Sequence, residues 1–203
     1  MPTKPLPVLT AYQQFRERWI DCTTCELCEC RTKVVLARGR IPAEILFVGE
    51  APGSSEDDVG IPFVPGAPAG RLLETIIDRS LGAENRLRAT KGIPILRHCF
   101  TNLVCCIPKI NGEKSEPDDD HIQSCSPRLI EFVELVEPEL IVCVGAQARD
   151  WLDPGYRHSV KLERQVPMVS IDHPSYILRA NVANKSFLIQ KACVIIANAV
   201  MDL

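Results

Sequence analysis

Short apolar runs alternate along the chain with longer stretches in which apolar residues recur every three or four positions. Residues 44–49 (EILFVG) are continuously apolar after the first position and end in glycine, the pattern of a strand buried on both faces. Residues 70–81 (GRLLETIIDRSL) place Leu72, Leu73, Ile76, Ile77 and Leu81 on one face of a helix. A second strand is expected over 100–106 (FTNLVCC). A helix over 118–136 opens on acidic residues, which suit the positive end of its dipole. It carries Ile122, Leu129, Phe132, Val133 and Val136 at helical spacing. Residues 140–145 (LIVCVG) predict a third strand, followed by a short helix through Trp151. A fourth strand is expected over 166–172 (VPMVSID), and a closing helix over 185–201. This order predicts an α/β protein, a three-layer α/β/α sandwich around a mainly parallel four-stranded sheet. Open sheets of this kind bind ligands beyond the carboxyl ends of their strands. Three such ends lead here into polar loops: GEAPG, TN and HPS.

Composition narrows the class. The 203 residues are 46% hydrophobic and 24% charged, a folded rather than a disordered balance. That length supports a core without disulfides, and residues 1–203 read as a single domain. The first residues do not resemble a signal peptide, and the apolar runs are too short to cross a bilayer. A cytoplasmic protein without membrane contact is expected. A net charge of −3 excludes a broadly basic nucleic-acid binder, so any DNA contact must be local. Arg31, Lys33, Arg38 and Arg40 offer such a patch, or else an ordinary solvated face.

Ten cysteines are many for a reducing compartment, where thiols serve as metal ligands or as small apolar core residues. The densest group is Cys22, Cys25, Cys28 and Cys30. A C-x2-C hook brings two thiolates to one metal or cluster edge, without separating zinc from iron–sulfur. The last gap is too short for a self-contained ferredoxin run, which points to two ligands here and two from elsewhere. Cys143 and Cys193 lie in apolar elements and read as core. Cys105 and Cys106 are adjacent on the expected strand, so their side chains would face opposite ways and only one would join a site. Cys125 sits on a polar helical stretch.

The segments CTTCELCECR, ILFVGEAPGSSEDDVGIPFV, AGRLL, TNLVCCIP, SCSPRL, LIVCVGAQA and DHPS resemble, in order and spacing, the iron–sulfur uracil-DNA glycosylases. These are the family-four branch of the uracil-DNA glycosylase superfamily. The resemblance runs from about Cys22 to the last helix. It implies a [4Fe–4S] cluster on Cys22, Cys25, Cys106 and Cys125, tying the segment at about 22–30 into the domain. Cys106 is preferred to Cys105 because the family's third ligand stands two residues before a proline, here Pro108.

The resemblance also implies DNA as partner, a monomer, and excision of a flipped-out base. Phe63 matches the stacking phenylalanine. Asn102 offers one donor and one acceptor to the edge of uracil. Gly49 and Ala51 complete the base site. His173 would donate to the base O2 as charge develops there. Glu50 would position the attacking water; the aspartate that a better-known branch carries one residue later is Ala51 here. Gly53, Ser175 and Arg179 would contact the DNA strand.

Two segments depart from the family. The loop after Phe63, VPGAPAG, is longer by about two residues and richer in proline. The segment after Cys106 reads IPKINGEKSEP where the family favours an arginine and two prolines. Both bear on the substrate. Uracil is the first expectation. The alternative is a bulky modified pyrimidine, such as a modified cytosine of phage DNA removed in antiviral defence. A non-catalytic DNA-binding module and a zinc-binding structural protein are the readings from other classes.

Overall fold

A computed structural model of the chain describes residues 8–110, 112–155, 159–201 and 203. Helix α1 (Val8–Trp19) and the single turn α2 (Leu27–Cys30) precede β1 (Arg38–Gly39) and β2 (Ile45–Gly49). Then come α3 (Ser54–Val59), α4 (Pro68–Thr90) and β3 (His98–Asn102). A hairpin of β4 (Lys109–Ile110) and β5 (Glu113–Lys114) leads into α5 (Asp119–Val136) and β6 (Leu140–Val144). The chain closes with α6 (Ala146–Leu152), β7 (Met168–Ile171), α7 (Pro174–Arg179) and α8 (Val182–Val200).

The central sheet has the order β1-β3-β2-β6-β7, with β1 antiparallel and all other neighbours parallel. The three-layer architecture agrees with the sequence reading, but the sheet has five strands rather than four. The added edge strand is two residues long, too short to carry a hydrophobic period. Along β2, Ile45 and Phe47 face one layer, while Leu46 and Val48 face the other. β6 divides in the same way, with Leu140, Val142 and Val144 opposite Ile141 and Cys143. Helices α4, α7 and α8 cover the first face, and α1, α5 and α6 cover the second.

Two expected boundaries move by more than three residues. The strand expected over 100–106 ends at Asn102, because Leu103 and Val104 donate their N–H groups to the Gly49 and Glu50 carbonyls and bend away. Residues 103–107 are buried without being strand, so their apolar character was a sign of packing and not of pairing. Helix α4 runs on to Thr90, through a polar stretch rich in good helix formers. No helix among the described residues is long and apolar enough to cross a membrane.

Candidate active site and cysteine cleft

Strands β2 and β3 run in register to their carboxyl ends, where Gly49 pairs with Asn102. A Cβ on residue 49 would overlap Asn102 Oδ1 and stand 2.6 Å from Phe63 Cζ, so glycine is what lets the ring and the amide meet there. Phe63 has a left-handed backbone (φ 47°), which is strained for a bulky residue and needs external support. Its N–H donates to Glu56 Oε1, and its carbonyl accepts from Arg38 Nη2 at 2.9 Å. Arg38 also donates to the Pro62 carbonyl at 2.7 Å and to Glu74 at 2.6 Å, with its guanidinium 3.7 Å above the Phe100 ring. A Cβ on Gly70 would overlap the carbonyls of Phe63 and Val64, so α4 abuts this turn only through glycine.

Asn102 is 1% exposed, and its Nδ2 has no hydrogen-bond partner among the described residues. Glu50 Oε1 is likewise buried and unpartnered. Unpaired buried polar atoms are costly and are expected where a ligand completes them. Burial raises the Glu50 carboxyl above its ordinary pKa; Glu116 adds to the rise and Lys114 opposes it.

His173 caps α7: its Nδ1 accepts the Ser175 backbone N–H at 3.1 Å. Burial, with help from the charges of Lys114 and Arg179, holds its pKa down at about 4. The ring is therefore neutral near pH 7. With Nδ1 accepting, the proton resides on Nε2. The His173 and Phe63 rings lie 6.2 Å apart between centroids.

Of the residues singled out from sequence, Glu50, Ala51, Gly53, Phe63, His173, Ser175 and Arg179 line one cavity of about 740 Å³. Gly49 and Asn102 are outside its open wall and meet the Phe63 ring at the strand ends. The Gly53 N–H is not free for DNA, because it donates to Glu56 Oε2 at 2.6 Å. The basic patch also resolves differently. Arg31 donates to the Cys22 carbonyl, Lys33 to the Asp58 carbonyl, and Arg38 to the Phe63 turn, so three of its four members serve the fold. Sequence reasoning missed Glu56, Lys114 and Glu116. The altered IPKINGEKSEP segment was the signal for the last two, since its hairpin brings them to the cavity wall.

A second, smaller cleft is lined by Cys22, Cys25, Cys105, Cys106 and Cys125. All four expected ligands therefore converge. The expected separation of Cys105 from Cys106 does not hold: both follow the end of β3, and Cys105 Sγ lies 3.6 Å from Cys125 Sγ. Among the described residues, no three His, Cys, Asp or Glu side chains are grouped to hold a single metal ion. The thiols instead ring a cleft, a donor set suited to a cluster with one thiolate per iron. Arg31 Nη1 approaches Cys106 Sγ at 3.3 Å, and the hydrogen bond from the Cys105 thiol, joined by Arg31, pulls the Cys106 pKa down against the effect of burial. Cys99, Cys143 and Cys193 are core. Burial alone raises the Cys99 thiol well above its usual range, and it pushes Cys143 up to about 12.

Fold and site together define a three-layer α/β protein with a cavity of about 740 Å³ at the carboxyl edge of its sheet and a separate thiol-lined cleft. The family model of the uracil DNA glycosylase superfamily matches residues 36–194, and the chain belongs to that superfamily. It is 36% identical over 144 residues to a type-4 uracil-DNA glycosylase of Sulfurisphaera tokodaii, covering 71% of this chain and 59% of the relative. It is 33% identical over 171 residues to that of Thermotoga maritima, covering 80% and 81%. The enzyme of Saccharolobus solfataricus shares 36% over 131 residues, covering 64% and 54%. The chain thus spans little more than half the length of the Sulfurisphaera and Saccharolobus relatives. The crystal structure of Pedobacter heparinus SMUG2 has a similar fold, with a TM-score of 0.50, 15% identity, and coverage of 79% of this chain and 76% of that one.

Proposed function

We propose that this chain is a DNA glycosylase that hydrolyses the N-glycosidic bond of a flipped-out uracil in DNA. The observation that carries the reading is the buried, unpartnered Asn102 amide beside the Phe63 ring. Its Nδ2 donates to O4 of uracil and its Oδ1 accepts from N3–H, while Phe63 stacks on the ring face. As the bond from C1′ to N1 breaks, its electron pair leaves with the base and charge gathers on O2. His173 Nε2–H donates to that oxygen, and the ring is already neutral, so no proton must be lost first. Water adds to C1′; Glu50 orients it and takes its proton. Arg179 and Ser175, on the cavity wall, face the phosphates of the extruded nucleotide.

Cys22, Cys25, Cys106 and Cys125 would hold a [4Fe–4S] cluster, which supplies a cross-link between the N-terminal segment and α5 rather than chemistry on the base. Incubation with uracil-containing oligonucleotides tests the activity. Free uracil and an abasic strand are expected from the native protein and nearly none from His173→Ala; intact strands from both would refute it.

One observation favours a second reading. The cavity of about 740 Å³ falls in the range of pockets that hold drug-sized ligands, roughly 300–1,000 Å³, and it continues past Phe63 along two segments that depart from the family. Its wall includes Val64, Ala67 and Pro68 of the lengthened loop, and Lys114 and Glu116 of the hairpin. A pyrimidine with a bulky polar substituent would occupy that further space. Release of such a base, with uracil left in place, would select this reading over the first.

A further inference from the structure

Among the described residues, Arg128 is the largest fully buried side chain, and it faces no carboxylate. Its Nη1 donates to Thr101 Oγ1 at 2.7 Å. Its Nη2 donates to the carbonyls of Asn102 and Leu103 at 2.6 and 2.8 Å, and approaches Cys125 Sγ at 3.7 Å. Nε has no partner. A buried cation persists only when an anion or several strong acceptors compensate it. Of the four atoms around this guanidinium, three are neutral oxygens, and only the Cys125 sulfur can carry negative charge, as a cluster ligand does. The same fork holds the backbone of Asn102, whose amide reads the base.

We propose that Arg128 is a positioning residue that joins the two sites. It stabilises the anionic cluster through Cys125 and fixes the carboxyl end of β3, so that the Asn102 amide is presented at one height and angle. This inference rests on the glycosylase and cluster readings above.

Two variants test it in protein purified without oxygen. Arg128→Met removes the charge at similar volume. It is expected to keep the native circular dichroism spectrum, to hold roughly tenfold less iron and sulfide at limiting iron, and to show a lower reduction potential in what remains. Arg128→Lys keeps the charge but cannot fork to three oxygens. It is expected to retain the cluster at its native potential while KM rises about tenfold and kcat stays within twofold. Full iron at the native potential in Arg128→Met, or a native KM in Arg128→Lys, would overturn the proposal. If the methionine variant does not fold, the lysine variant decides alone. Iron, sulfide and potential are read without substrate, so failure of the glycosylase reading would show separately, as absence of base release by the native protein.

Discussion

The Phe63 ring lies in the space that a side chain at Gly49 would fill, 2.6 Å from where its Cβ would stand. One missing methyl group thus sets the position of the stacking ring and, on its other side, of the Asn102 amide. Gly49→Ala is expected to displace both. Ångström-scale misplacement in a reacting site costs about a hundredfold, so kcat/KM on uracil-containing DNA is expected to fall by about that factor. Steady-state kinetics beside thermal melting check it; native kinetics in a folded variant would remove Phe63 from the base site.

His173→Ala removes the donor proposed to face the base O2, and kcat is expected to fall about 10²–10³-fold. The pKa of about 4 has a stability consequence. An unfolded histidine titrates near 6.5, so the unfolded chain takes up a proton first as pH falls. The contribution of His173 is complete above about 6.5 and is lost progressively down to about 4. Denaturation curves between pH 7 and 4 are expected to be less pH-dependent in His173→Ala than in the native protein.

Under the proposed reaction, Glu50 is expected to govern the acid side of the rate profile. Its carboxylate is the form that orients water, and burial has raised its pKa, so the rate is expected to fall at a higher pH than for an ordinary carboxyl. Because the neutral form is favoured in the folded state, ionisation of Glu50 costs stability as pH rises through that pKa. Glu50→Gln is expected to be slower at every pH, without an acid limb of its own, and to melt higher than the native protein at pH 8.

Lys114 and Glu116 act on the same carboxyl with opposite signs. Lys114→Ala is expected to move the acid limb to higher pH, and Glu116→Gln to lower pH. A kcat profile for each variant decides this, and shifts of the same sign would place the hairpin away from Glu50.

Cys22→Ala and Cys125→Ser are each expected to lose most iron and sulfide and the brown colour, whereas Cys105→Ser keeps them. Iron and sulfide analysis with the visible spectrum checks the set. Full occupancy in Cys22→Ala would overturn the ligand assignment.

Much of the site was legible in the chain because ordered motifs at its element ends resemble those of a known family; the residue types alone left Phe63 and Asn102 open to ordinary structural roles. Glu50 follows β2, Asn102 ends β3 and His173 caps α7, and the structure gathers them at one edge of the sheet. Glu56 was not legible. Its role depends on the backbone of Phe63, seven residues on, returning to meet it, and no local pattern encodes that contact. Arg38 read as a surface cation, yet it is half-buried over Phe100, because a guanidinium in sequence looks the same whether it meets phosphate or a carbonyl. Cys105 was separated from Cys106 on the assumption of strand alternation, which lapses where the chain bends at Leu103.

By itself, then, the sequence determined the layered α/β architecture, the four parallel strands and the thiols and polar residues from which the two sites are built. Apolar periodicity is a local property, and burial on both faces of β2 and β6 follows directly from it. Only the tertiary structure decided the fifth strand, the strained Phe63 turn, the protonation of His173 and the buried bridge of Arg128 between cysteine cleft and base site. Each of these depends on the distance and burial of groups brought together by the fold, and electrostatic and hydrogen-bonding partners are settled only at that scale.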